Sequence, residues 1–121
     1  DFIGSSNFLD AKIVEQNSTH NVVELRNGTR LKTAPGKAGA DGNLVVAVRP
    51  ERIEIVPTGS DNTFEVEIAG STYLGSTYQY AVDVAGSELR IITSADLPAG
   101  KAHVHIPPEA TAVYASRPDE A

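Results

Sequence analysis

The sequence predicts an all-β protein: two small antiparallel barrel modules packed into one unit. Three observations predict it. Apolar residues recur at every second position along much of the chain, as where Phe64, Val66 and Ile68 alternate with Glu65 and Glu67. That is the period of a strand with one buried face. Turn-forming groups interrupt these runs at Asn17-Ser18, Asn27-Gly28, Asp41-Gly42, Gly59-Ser60-Asp61-Asn62, Ala85-Gly86-Ser87 and Pro98-Ala99-Gly100. The punctuation also repeats at an offset of 58: Gly42 falls on Gly100, Val46 on Val104, Val48 on Ile106, Pro50-Glu51 on Pro108-Glu109 and Ile55 on Val113. Gly28 and Leu31 likewise fall on Gly86 and Leu89. Repetition at one offset points to two copies of one β-module, repeat 1 at about 1–58 and repeat 2 at about 59–116, with 117–121 as a frayed tail.

Taken in order, strands are expected at 9–13, 21–26, 29–33, 43–49, 53–57, 62–73, 77–85, 88–93, 101–106 and 112–115. Leu9, Ala11 and Ile13 alternate with Asp10 and Lys12, and Tyr78, Tyr80, Val82 and Val84 with Gln79, Ala81 and Asp83. Leu44 to Val48 is apolar on both faces, which fits a central strand covered on both sides. Asn27-Gly28 between two β-type runs predicts a hairpin with a type I′ turn. Ala34 to Gly42 reads as a flexible loop. Short helical turns are expected at Asp1–Ile3, Pro50–Arg52 and Pro107–Ala110, where proline pre-sets φ in the latter two. About five short strands per half suggest the small, partly open barrel called the OB-fold.

Composition bounds the function. At 121 residues the chain holds one ordinary domain or two very small ones sharing a core. With no Cys, disulfides and thiolate metal sites are excluded. The net charge of −6, from 16 acidic and 10 basic side chains, opposes binding to phosphate backbones, so no nucleic-acid partner is expected. No run approaches the ~20 apolar residues of a membrane helix, so no direct membrane insertion is expected. The chain starts with Asp1 rather than Met and carries nothing like a signal peptide, which suggests a piece of something longer.

Few residues suggest chemistry. A phosphate-binding Walker A loop needs Gly-x-x-x-x-Gly-Lys-Ser/Thr, but Gly36-Lys37 is followed by Ala38 and preceded at the first glycine position by Leu31. His103 and His105 share a strand face as a metal pair would, yet lack evident third and fourth ligands and read as solvent-face residues. Glu65 and Glu67 read as a solvated face, and no Ser-His-Asp arrangement carries a nucleophile elbow. Tyr73, Tyr78 and Tyr80 with Arg26, Arg30 and Lys32 have the makings of a base-stacking platform, but the alternation of Tyr78 and Tyr80 favours core packing. Ser71, Thr72, Ser76 and Thr77 are candidate donors to a small oxyanion, or ordinary turn residues. Pro50 forces a turn between Arg49 and Glu51, leaving both charges at a module edge for a local ion pair or a partner contact. No catalytic, cofactor-binding or metal-ligating residue is assigned.

Phe2-Ile3-Gly4 with Asn7-Phe8-Leu9, then Val48-Arg49-Pro50-Glu51-Arg52-Ile53 some forty residues on, resembles the C-terminal TOBE region of ATP-binding-cassette import ATPases of the polyamine, iron and maltose type. Tyr73-Leu74-Gly75, leading to the aromatic-rich Tyr78-Gln79-Tyr80, fits the same pattern. The resemblance implies two OB-like repeats forming one TOBE-type unit, cytoplasmic and peripheral on the inner face of the membrane. It implies a non-catalytic accessory domain that supports ATPase dimerisation and regulates solute uptake. Arg49, Glu51, Arg52, Tyr73 and Gly75 are then the candidate interface residues. ATP and Mg are expected in a missing upstream nucleotide-binding domain, since the signature loop, acidic metal-holding residue and switch histidine have no counterpart here. The implied partners are that upstream domain, a second copy of the ATPase subunit and, indirectly, a permease; a homodimer of the isolated piece also fits. The alternative is a freestanding OB-type protein binding a small oxyanion.

Overall fold

A computed structural model describes residues 6–117. The helical turn expected at Asp1–Ile3 and most of the tail lie outside the described residues. The chain is all-β, with antiparallel strands curled into OB-like barrels, as its alternating pattern requires. Among the described residues eleven strands appear: β1 Asn7–Gln16, β2 Asn21–Leu25, β3 Arg30–Thr33, β4 Asn43–Val48, β5 Glu54–Val56, β6 Thr63–Ile68, β7 Thr72–Tyr73, β8 Tyr78–Val84, β9 Ser87–Thr93, β10 Gly100–His105 and β11 Thr111–Tyr114. Short 3-10 turns at Pro50–Arg52 and Pro108–Ala110 precede β5 and β11. The single strand expected over 62–73 is broken into β6 and β7, because Ala69-Gly70-Ser71 lets the chain leave the sheet.

The pairing crosses between the two halves. The first sheet runs β11-β4-β1-β2-β3, the second β5-β10-β6 and the third β7-β8-β9. Thus β11, from the end of the chain, pairs with β4, Val113 opposite Val46. Conversely β5, from the first half, pairs with β10, Ile55 opposite Val104. The residues matched at an offset of 58 sit at these crossings. Val46, Val48, Val104 and Ile106 are all buried, and Pro50 and Pro108 each open the turn leading to the crossing strand.

Two asparagines fasten the crossings. Asn7 donates from Nδ2 to the Arg90 carbonyl and accepts from the Arg90 N–H, both at 2.8 Å. Asn62 accepts from the Lys32 N–H at 2.9 Å and donates from Nδ2 to the Lys32 carbonyl at 2.7 Å. Lys32 and Arg90 are themselves 58 apart. Asn62 also donates to the Ile106 carbonyl at 2.8 Å, while the Ile106 N–H donates to the Asn62 carbonyl at 2.9 Å. Its backbone sits at φ +60°, a left-handed conformation that asparagine tolerates better than most residues.

A single hydrophobic cluster joins both halves, from Leu9, Val23 and Leu31 to Tyr80, Leu89, Ile91 and Val104. Along β4 every residue from Leu44 to Val48 is buried, in line with a strand covered on both faces. The β2–β3 hairpin departs from the type I′ expectation. Only Gly28 has positive φ, the Gly28 N–H donates to Leu25 O, and Leu25 N–H donates to Thr29 O. This is the longer loop with a left-handed glycine at its end. The type I′ conformation appears instead at Ala85-Gly86, where both residues have positive φ between Val84 and Ser87. The 34–42 loop is tied down: Asn21 Nδ2 donates to Gly36 O at 2.9 Å, and Gly39 N–H to Asn43 O at 2.8 Å. Gly36 lies so close to Val113 that a Cβ there would stand 2.8 Å from the valine Cβ.

Candidate functional site

The motif residues gather in two exposed places. The first is the Pro50–Arg52 turn, which follows β4 because Pro50 ends the ladder and begins the 3-10 turn with its fixed φ. Arg49 Nε meets Glu51 Oε2 at 2.8 Å, with both side chains more than two-fifths exposed. The Arg49 hydrogen bond, chiefly, holds the Glu51 carboxyl below its ordinary value; backbone hydrogen bonding at Glu51 and the charge of Arg52 act in the same direction. Arg52 closes the turn by donating its N–H to Arg49 O at 3.0 Å and leaves its side chain in solvent. A shallow open groove of about 280 Å³ borders Arg49 on one side and Thr111 and Tyr114 on the other. The turn also packs against β9.

The second place is the hairpin between β7 and β8. Tyr73 is 62% exposed and Leu74 48% exposed, an unusual pair of large apolar side chains at a tip. The tip is held: Leu74 N–H donates to Thr77 O at 2.8 Å, and the Tyr73 hydroxyl donates to the Gly75 carbonyl. Gly75 turns the chain at φ +100°. The Tyr73 and Tyr78 rings lie 5.2 Å apart between centroids, tilted by 51°. Ser71, Thr72 and Ser76 are exposed on this same hairpin.

The remaining candidates separate. Tyr80 belongs to the core, its hydroxyl donating to Ala95 O at 3.0 Å and accepting from Leu97 N at 2.7 Å. It therefore offers no face for stacking, while Arg26, Arg30 and Lys32 lie on and around the hairpin of a different sheet. Arg26 pairs with Asp10 at 3.3 Å. His103 and His105 stand on the face opposite buried Val104 and Ile106, with Glu65 and Glu54 as cross-strand neighbours. Among the described residues no three His, Asp or Glu side chains come together as a metal site requires. Glu65 is exposed and pairs with Lys101 at 3.3 Å. No helix among the described residues is long and apolar enough to cross a membrane.

The asparagine clasps were missed in the sequence. Asn62 stood inside a turn signal, and Asn7 lay before the strand expected at 9–13, noted only as part of Asn7-Phe8-Leu9. A faint cue existed, since Lys32 and Arg90 carry the same 58-residue offset as the prolines.

Residues 46–114 match the model of the TOBE domain family. The chain is 39% identical over 83 residues to a spermidine/putrescine import ATP-binding protein, PotA, of Rubrobacter xylanophilus, covering 66% of this chain and 22% of that protein. It is 27% identical over 90 residues to the corresponding protein PotA 1 of Pseudomonas aeruginosa, covering 74% of this chain and 24% of the relative. The chain thus spans about a quarter or less of these relatives. Its fold is similar to that of the cytoplasmic molybdate-binding protein ModG in a molybdate-bound crystal form, with a TM-score of 0.69 at 11% identity over 89% of this chain and 94% of the other.

Proposed function

Because the chain belongs to the TOBE domain family, we propose that it is the non-catalytic accessory and regulatory domain of an importer ATP-binding subunit. The carrying observation is the 39% identity to a polyamine importer's ATP-binding protein, of which this chain matches a minor part. In this reading ATP and Mg are handled by an upstream domain of the same subunit, and the unit works in the cytoplasm against the inner face of the membrane. The Arg49–Glu51–Arg52 turn and the Tyr73–Gly75 hairpin contact the nucleotide-binding domain or the second ATPase subunit. Both are exposed and both are held in shape before binding, which lowers the ordering cost of an interface. The repeats at about 1–58 and 59–116 act together as one TOBE-type unit.

A chimera tests this. Residues 1–121 replace the matching region of the Rubrobacter ATP-binding protein, and spermidine uptake is measured in cells lacking their own importer. Uptake well above background is the expected result. A folded chimera that hydrolyses ATP but supports no uptake would sink the proposal. Charge reversal at Arg49 in that chimera is expected to weaken subunit assembly while the isolated domain melts at nearly the same temperature.

The likeness to a molybdate-binding protein motivates a second reading, a freestanding oxyanion binder using Ser71, Thr72, Ser76 or Thr77. At 11% identity that likeness carries the fold alone. Absence of thermal stabilisation by millimolar molybdate, sulfate or phosphate counts against this reading.

A further inference from the structure

We propose that a groove at the junction of the two halves binds a small zwitterion carrying both an ammonium and a carboxylate group, as α-amino acids do. The groove holds about 590 Å³, within the ~300–1,000 Å³ usual for small-ligand sites. It is lined by Thr19, His20 and the segment from Lys32 to Pro35 in the first half, and by Pro108 and Glu109 in the second. Lys32 and Glu109 are both exposed, and among the described residues neither has an ion-pair partner. One cation and one anion thus border the same groove without neutralising each other. A ligand bearing both charges answers both. A simple anion meets Glu109 as a like charge, and a simple amine meets Lys32 in the same way.

His20 adds direction. The Thr19 hydroxyl donates its one proton to Asn17 Oδ1 at 2.9 Å, an oxygen that can only accept. It therefore accepts from His20 Nδ1 at 3.0 Å, which puts the imidazole proton on Nδ1 and leaves Nε2 of the neutral ring with a free lone pair. An acceptor nitrogen and the Glu109 carboxylate suit the ammonium end of the ligand, and the Lys32 ammonium suits the carboxylate end. Pro35 and Pro108 have no N–H, and the Ala34 N–H is already given to Thr111 Oγ1 at 2.9 Å, which leaves the carboxylate to Lys32. The surroundings are held before a ligand arrives. Asn17 Oδ1 also accepts from the backbone N–H groups of Thr19 and His20, each at 3.0 Å. Asn62 grips both backbone groups of Lys32. Thr111 Oγ1, besides accepting from Ala34, donates to Pro108 O at 2.7 Å, so one hydroxyl links the two sides of the groove. Such pre-ordering lowers the cost of binding. The site lies within this domain and stands or falls separately from the transport reading.

The test uses the whole chain. The standard L-α-amino acids are added one at a time at millimolar concentration, and the melting temperature is recorded. At least one should raise it, and calorimetric titration of that amino acid should show a single site. Its decarboxylated amine and its deaminated acid should each bind about tenfold or more weakly, because each lacks one contact between charged groups. Lys32→Gln should largely remove the preference over the amine, and Glu109→Gln the preference over the acid. Both side chains are exposed, so the ligand-free variants should melt with the parent protein. No rise with any amino acid would overturn the proposal. So would an amine or an acid that binds as tightly as the parent amino acid, which is the mark of a simple ion site. Binding unchanged in both variants would overturn it as well. Amide NMR shifts of the unmodified chain give a second reading that needs no substitution. On titration they should cluster at Thr19, His20, Lys32 to Ala34 and Glu109, and shifts confined to other strands would equally contradict the assignment.

Discussion

Replacing Asn62 probes the crossing where one side chain does the most. Asn62→Gly keeps the left-handed backbone accessible and removes three side-chain hydrogen bonds, to the Lys32 N–H, the Lys32 carbonyl and the Ile106 carbonyl. A typical hydrogen bond contributes about 1 kcal/mol net. Lys32 is exposed, so water can partly replace two of the three, whereas Ile106 is buried and loses more. Glycine adds up to about 1 kcal/mol through unfolded-chain entropy. The expected loss for Asn62→Gly is about 2–3 kcal/mol. Asn62→Ala loses the same bonds and keeps a Cβ at φ +60° without asparagine's tolerance of that conformation, but avoids the glycine entropy cost, so a similar loss of about 2–3 kcal/mol is expected. Urea unfolding of both variants, with unchanged m-values, measures these differences. A loss below about 0.5 kcal/mol for Asn62→Gly would refute the view that this clasp joins the halves.

Other perturbations follow the same logic. Ala85 holds φ +53° in its two-residue turn, so Ala85→Gly should gain about 0.5–1 kcal/mol, read as a rise in melting temperature. Gly36→Ala should cost about 1–3 kcal/mol in urea unfolding, because the new methyl meets Val113 at 2.8 Å. The lowered carboxyl of Glu51 contributes stability that is present above its unfolded value of 4.5 and is lost as pH falls through the lower folded value. Because the Arg49–Glu51 pair is half exposed, the contribution is at most a few tenths of a kcal/mol. Glu51→Gln should therefore lower stability near neutrality by at most a few tenths of a kcal/mol, with the difference from the parent protein vanishing as pH falls below 4.5.

Much of the fold was legible because strand burial is a local property. The alternation in 63–68 and 78–84 reflects one face turned inward, and Leu44 to Val48 betrayed its cover on both faces by lacking polar residues. The paired prolines were legible because each fixes a φ where a strand leaves its ladder. The crossing of β5 and β11 was not, since a three- or four-residue strand carries no mark of which distant edge it joins. The asparagine clasps escaped for a related reason: their partners are backbone N–H and carbonyl groups, which almost any residue supplies. Asn27-Gly28 misled because the pair suits two turn types, and the loop's extra residue decides between them. At the candidate site, Arg49 and Glu51 were readable as a pair across Pro50. The Tyr73 contact with Gly75 depends on ring placement that spacing does not give.

The most direct test of the functional account is to read the codons upstream of Asp1 in the gene of origin. The account predicts an in-frame domain with a complete Gly-x-x-x-x-Gly-Lys-Ser/Thr loop and the remaining ATPase motifs. A start codon immediately before Asp1 would contradict it.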